Sequence, residues 1–122
     1  MSSERIRMPK SLAFATRIVF ADRFLSEEKK EYVLSKQMLR SGTSIGANIA
    51  EAQYGSSRKD FLNKLYIALK ECAETLYWLE LLYSCDYISR TEYDSLHSDC
   101  EELRKLLSSI TKSVRDGTIP NF

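Results

Sequence analysis

Few residues in this 122-residue chain have types and spacing that could do chemistry, and each falls short of a reactive constellation. His97 is the single histidine. A di-metal centre in a helical bundle needs carboxylates with two Glu-x-x-His pairs on facing helices. Asp94-x-x-His97 supplies one such pair, with the shorter acid. Cys72, Cys85 and Cys100 are odd in number and stand 13 and 15 positions apart. That is neither a disulfide framework nor a zinc spacing, and they read as reduced, mostly buried thiols. Glu71 and Glu74 could be drawn as an acid–base pair, but no nucleophile, phosphate loop or Gly-x-Gly-x-x-Gly accompanies them. The expectation is a non-enzymatic protein without metal or cofactor.

The stretch Arg40-Ser41-Gly42-Thr43-Ser44-Ile45-Gly46-Ala47-Asn48-Ile49-Ala50-Glu51 is the least ordinary part of the sequence. Two glycines inside a helix cost about 1 kcal/mol each relative to alanine. Read by propensity alone, this segment is a loop. Periodicity says helix: Gly42, Gly46 and Ala50 form a smooth strip on which another helix can come close. Gln37, Ser41, Ser44, Asn48 and Glu51 form a second, polar strip. Buried polar groups need partners, and Glu71 and Glu74 lie among apolar neighbours further along. This predicts a structural polar network in which Arg40 or Asn48 meets Glu71 or Glu74, setting register more than stability. The alternative is a solvated face with Lys70–Glu74 as a helix-surface pair.

Positioning these groups requires four helices. The first runs from about Pro9 to Leu25, with Leu12, Ala15 and Val19 on one face and Phe14, Ile18 and Ala21 beside them. Pro9 suits an early helical position because its missing N–H costs nothing there. The second is read as starting after Ser26, a capping side chain ahead of Glu27 and Glu28, and as reaching about Tyr54. Its apolar line is Leu34, Met38, Ile45, Ile49 and Ala52. Gly55-Ser56-Ser57 supplies a stop and a new N-cap.

The third, from about Arg58 to Asp86, is apolar on most of its circumference. Phe61, Leu65, Leu69, Cys72, Leu76, Leu79 and Tyr83 form one stripe, and Leu62, Tyr66, Ala73, Tyr77 and Leu81 another. A helix apolar all round must be covered on more than one side, which predicts an oligomer. The fourth follows Ser89, at capping-box spacing from Glu92. Leu96, Cys100, Leu103, Leu107, Ile110 and Val114 then make a coiled-coil-like seam, and Gly117 ends it. Short loops between long helices make antiparallel neighbours. The fold is therefore read as all-α: one antiparallel up-down-up-down four-helix bundle over residues 1–122, with about 1–8 and 118–122 as flexible termini.

The formal net charge is +1, so no bulk charge draws the protein to nucleic acid or anionic lipid. In an up-down bundle one end collects Arg5, Arg7, Lys10, Arg58, Lys59, Lys64, Arg104, Lys105, Lys112 and Arg115. The other collects Glu80, Asp86, Glu92, Asp94, Asp99, Glu101 and Glu102, with Arg90 among them. The helix dipole favours cations at the end of the fourth helix, but not Arg58, Lys59 and Lys64 at the start of the third. Repeated around an oligomer, such ends would form a positive surface able to meet phosphates, with Tyr54 available to stack on a base. Ordinary solvated charge that helps subunits associate is the alternative. Apolar runs fall well short of the ~20 residues of a membrane helix, and the polar N-terminus does not read as a secretory signal, so a cytoplasmic protein without membrane contact is expected.

The run from Lys36 to Ala52, KQMLRSGTSIGANIAEA, resembles the signature of the bacterial four helix bundle protein family, also called the 23S rRNA intervening-sequence protein family. The likeness continues through Ser57, Asp60-Phe61, Ile67 to Glu71, Glu74-Thr75 and Tyr77 to Leu82, and covers nearly the whole chain. The resemblance implies an up-down four-helix bundle and a ring-shaped homopentamer. The ribosomal part of the name reflects where some members are encoded, inside insertions of 23S rRNA genes. A distant relative, the accessory protein of diversity-generating retroelements, is similar in architecture and binds nucleic acid through a basic pentamer surface. The near-neutral charge of the present chain departs from that relative.

Overall fold

The computed structural model describes residues 3–117, with side chains from Lys10 onward. Its elements are α1 (Ser3–Glu27), α2 (Leu34–Ala52), α3 (Arg58–Ser84) and α4 (Arg90–Arg115). Of the ends expected to be flexible, about 1–8 and 118–122, residues 1–2 and 118–122 lie outside the described residues, as do the side chains of Arg5, Arg7 and Pro9, while residues 3–8 belong to α1. Helix α1 begins upstream of Pro9.

Each helix packs on two neighbours, in the cycle α1–α2–α3–α4–α1, and among the described residues the backbones of the diagonal pairs do not come close. Cross-links give the directions. Ile18 lies against Gly42 and Ser11 against Gly46, so α1 and α2 are antiparallel. Lys64 meets Glu51, and Arg40 meets Glu71 and Glu74, so α2 and α3 are antiparallel. Tyr83 stacks on Tyr93 while Cys72 meets Cys100, and Arg17 meets Asp99 while Lys10 meets Glu102. All four sides are antiparallel, as an up-down-up-down bundle requires.

The helix starts show why the chain folds locally as it does. Ser57 accepts the Asp60 N–H at 3.1 Å and caps α3. Ser89 and Glu92 close a reciprocal capping box on α4, each backbone N–H reaching the other's side chain at 3.1 Å. Helix α2 does not start after Ser26. Helix α1 continues through that position to Glu27, and Ser26 instead contacts Lys36 at 3.2 Å. The capping group of α2 is Glu31. Its carboxylate accepts the N–H groups of Val33, Leu34 and Ser35 at 3.1, 3.0 and 2.6 Å, satisfying donors that the first turn leaves unpaired. Burial pushes the Glu31 carboxyl up, but the hydrogen bonds from Leu34, Ser35 and Val33 outweigh it and hold the group below the ordinary range.

The core is a continuous cluster through all four helices. In α4 it follows the seam of Leu96, Cys100, Leu103, Leu107, Ile110 and Val114. In α1 the buried line is Phe14, Ile18 and Leu25, while Leu12 is 68% exposed. The Leu12–Ala15–Val19 face is thus not the core face: two apolar lines run side by side on α1, and packing selects the other. In α3, Phe61, Leu65, Ala68, Cys72, Thr75, Leu79 and Leu82 are buried. Leu62, Leu69, Leu76, Trp78 and Tyr83 are partly covered by flanking helices. Two neighbours therefore cover more of α3 than a single core face would, and the large apolar side chains left exposed on it are Tyr66, Ile67 and Tyr77.

Candidate functional site

Three features could do something beyond holding the fold: the polar network between α2 and α3, the basic side chains, and the outer faces of α1 and α3. The network centres on Arg40. Its Nη1 donates to Glu71 Oε2 at 3.2 Å, and its Nη2 donates to Glu74 Oε2, which also accepts from the Trp78 indole N–H at 3.1 Å. The Trp78 bond, with Arg40, holds the Glu74 carboxyl below the ordinary range against the opposing effect of burial. Glu74 and Glu71 in turn raise the Arg40 guanidinium. Beneath this pair of ions, Ser41 and Thr75 share a hydrogen bond of 2.8 Å with both residues fully buried. Asn48 does not join: its amide donates to the Ser44 carbonyl one turn earlier at 2.8 Å. Arg40, Glu71 and Glu74 therefore come together, and Asn48 stays within its own helix.

The smooth strip of α2 faces α1. A methyl group on Gly42 would come within 2.9 Å of Ile18, and one on Gly46 within 3.2 Å of Ser11 Oγ. The two glycines let α1 approach closely.

The basic side chains do not form one surface. Lys64 is paired with Glu51 at 3.1 Å, Arg104 with Glu101 at 2.8 and 3.0 Å, and Arg115 contacts Asp116 at 3.4 Å. Arg58, Lys59, Lys105 and Lys112 are exposed and hold no ion pair among the described residues. Lys10 and Glu102, assigned to opposite ends in the sequence reading, touch. Asp99 likewise lies beside Arg17 at 2.5 Å. Arg104 and Lys105 stand about 15 Å of helical rise before Arg115, near the middle of α4. Separating the bundle into a basic and an acidic end therefore fails along the α1–α4 side, where cations and anions interleave. The cations still clustered at one end are Arg58, Lys59, Lys112 and Arg115, with Tyr54 nearby at 88% exposure. The groove beside Tyr54 is lined in part by Glu51 and Asp60, which oppose a phosphate.

His97 is half-buried against Tyr93, with ring centroids 5.2 Å apart. No group of three or more His, Cys, Asp or Glu side chains among the described residues could hold a metal ion. Cys72 and Cys100 are buried and Cys85 is exposed. The Cys72 thiol and burial push the Cys100 thiol far above its ordinary range, so it stays protonated and unreactive.

The outer face of α3 follows from its all-round apolar pattern, in which Tyr66 and Tyr77 already stood, whereas the outer face of α1 was missed. Leu12, Phe20 and Phe24 are exposed on α1, and Tyr66, Ile67 and Tyr77 on α3. Arg23 lies over the Phe20 ring at 5.4 Å and Lys29 over Phe24 at 5.7 Å. For α1 the signal available in the sequence was Leu12, Phe20 and Phe24, apolar residues 8 and 4 apart on a face that the bundle core does not need.

These features define an all-α four-helix bundle with a polar pin between α2 and α3 and uncovered apolar faces on α1 and α3. The sequence profile of the 23S rRNA-intervening sequence proteins matches residues 6–109, and the chain belongs to that family. It is similar to a crystal structure from Bacteroides thetaiotaomicron, described as a protein of unknown function from the S23 ribosomal protein family. The two are 57% identical with a TM-score of 0.89, over 91% of this chain and 99% of that one. No curated protein matches. No helix among the described residues is long and apolar enough to cross a membrane.

Proposed function

We propose that this chain is a non-enzymatic scaffold or adaptor that works as a homo-oligomeric ring of five copies. The observation that carries the reading is the pair of uncovered apolar faces. Leu12 and Phe20 on α1 are 68% and 58% exposed, and Tyr77 on α3 is 59% exposed. These helices lie on a diagonal of the bundle, so the two faces are separate surfaces. Clustered apolar surface beyond what folding needs marks an association site. Two different faces meeting head to tail build a ring or a fibre rather than a two-fold dimer. The number five comes from the family resemblance.

Light scattering coupled to size exclusion tests this. The expected mass is near 70 kDa, five times the 14.1 kDa of one chain, and stable on dilution. A mass of one chain at tens of micromolar would remove the scaffold reading.

A second reading is a nucleic-acid-binding module, favoured by Arg58, Lys59 and Lys112, which are exposed and without ion pairs among the described residues, beside Tyr54. It requires a gel shift with structured RNA or DNA that weakens steeply with added salt. Arg58→Ala with Lys59→Ala should reduce both the affinity and the salt slope. An oligomer giving no shift at low salt would leave the scaffold reading alone.

A further inference from the structure

The heights of α1 and α3 are locked together through α2. Gly42 lies against Ile18, and its neighbour Ser41 is hydrogen-bonded to Thr75 at 2.8 Å. Ile18 and Thr75 thus stand level on two helices that run in the same direction across the bundle diagonal. Equal rise per residue keeps equal offsets level. Two positions on are Phe20 and Tyr77; five on are Arg23 and Glu80. Two positions back are Thr16 and Ala73, and five back are Ala13 and Lys70. All eight side chains are exposed, in two outward stripes of identical spacing.

The paired positions are complementary. Phe20 and Tyr77 are large aromatics exposed to 58% and 59%. Thr16 and Ala73 are small, so helices meeting there can come close. Arg23 and Glu80 carry opposite charge, and neither holds an ion pair among the described residues. Resting on the homo-oligomer proposed above, we propose that the outer stripe of α1 docks in parallel on the outer stripe of α3 of a second copy. The aromatic, small and charged positions then meet at matching heights. A head-to-tail contact between level stripes has no rise along the helices, as any closed ring requires. The occupant of each face is thus the other face of the same protein. The Arg23 guanidinium, already over its own Phe20 ring at 5.4 Å, has only to extend to reach the second copy's Glu80.

Charge reversal tests the register. Arg23→Glu and Glu80→Arg each place like charges at the contact and should weaken association at least tenfold, read as a fall in mass on dilution. Combining the two should restore the native mass. Oxidation of a Thr16→Cys, Ala73→Cys variant in a Cys85→Ser background should also give covalent multimers, since the two positions face away from each other within one molecule. If the native chain is oligomeric but neither reversal shifts its mass and no cross-link forms, this contact is wrong while the scaffold reading stands. A native chain that is monomeric sinks both.

Discussion

Ile18 closes over Gly42 so tightly that a methyl group on the glycine would lie 2.9 Å from both of its Cγ atoms. Those carbons belong to a β-branched side chain fixed against the core, with no exposed end to move aside. Gly42→Ala gains about 1 kcal/mol of helix propensity but forces overpacking that costs about 1–3 kcal/mol. A net loss of about 1 kcal/mol is expected in urea unfolding. Gly46→Ala is the contrast. Its new methyl group meets the Ser11 hydroxyl at 3.2 Å, a smaller group at a longer distance, so the variant should lose clearly less than Gly42→Ala. Equal losses at both positions would mean that the close approach of α1 does not explain Gly42.

The Glu31 cap ties stability to pH. Its folded carboxyl is held below the ordinary value of 4.5 by backbone N–H groups that outweigh burial. A depressed carboxylate contributes stability that is complete above the unfolded value and lost as pH falls through the folded one. Glu31→Gln should cost about 1–2 kcal/mol near neutrality. It should also flatten the fall in the urea midpoint below pH 4.5. A parallel acid profile for native and variant would count against the cap as the source.

How much of this was legible depends on whether the deciding interaction is local. Helix α4 was readable almost in full, because its seam repeats strictly and its capping box needs only Ser89 and Glu92. The start of α2 was not. Ser26 carries the usual capping signature, whereas Glu31 caps through a longer side chain reaching donors two to four residues ahead. The core face of α1 was also hidden, since Leu12–Ala15–Val19 and Phe14–Ile18–Leu25 have the same period and only packing separates them. The polar strip pointed to Arg40 or Asn48 meeting Glu71 or Glu74, and the long Arg40 side chain reaches both carboxylates. The short Asn48 amide instead found a carbonyl in its own helix, the usual competitor for such residues. Assigning charges to helix ends misplaced Lys10 and Glu102, because Lys10 lies seven residues into α1, beside the middle of α4.

The Arg40 network should behave as a register pin with modest net energy. Arg40 is 53% exposed, which screens its charge, while Glu71 is only 14% exposed. A double-mutant cycle on Arg40→Ala and Glu74→Ala should give a coupling of about 0.5–1 kcal/mol that shrinks with added salt. The same cycle between Asn48→Ala and Glu74→Ala should give none. Coupling at Asn48 as large as at Arg40 would show that the amide reaches the network in solution.

Two helix ends carry non-glycine residues in the left-handed region, Lys30 with φ 56° and Asp86 with φ 65°. Beyond α3, the N–H groups of Asp86 and Tyr87 return to the carbonyls of Tyr83 and Leu82 at 3.0 and 2.9 Å, the closing turn that glycine fills without strain. A side chain there costs roughly 1 kcal/mol, part of which glycine returns as greater freedom of the unfolded chain. Electrostatics separates the two sites. The end of a helix is partly negative, so it repels the Asp86 carboxylate and attracts the Lys30 ammonium. Asp86→Gly should therefore stabilise the protein by about 1 kcal/mol, and Lys30→Gly by clearly less. Thermal or urea unfolding of the two variants reads the order directly, and a larger gain at Lys30 would show that backbone strain, not the helix dipole, sets the difference.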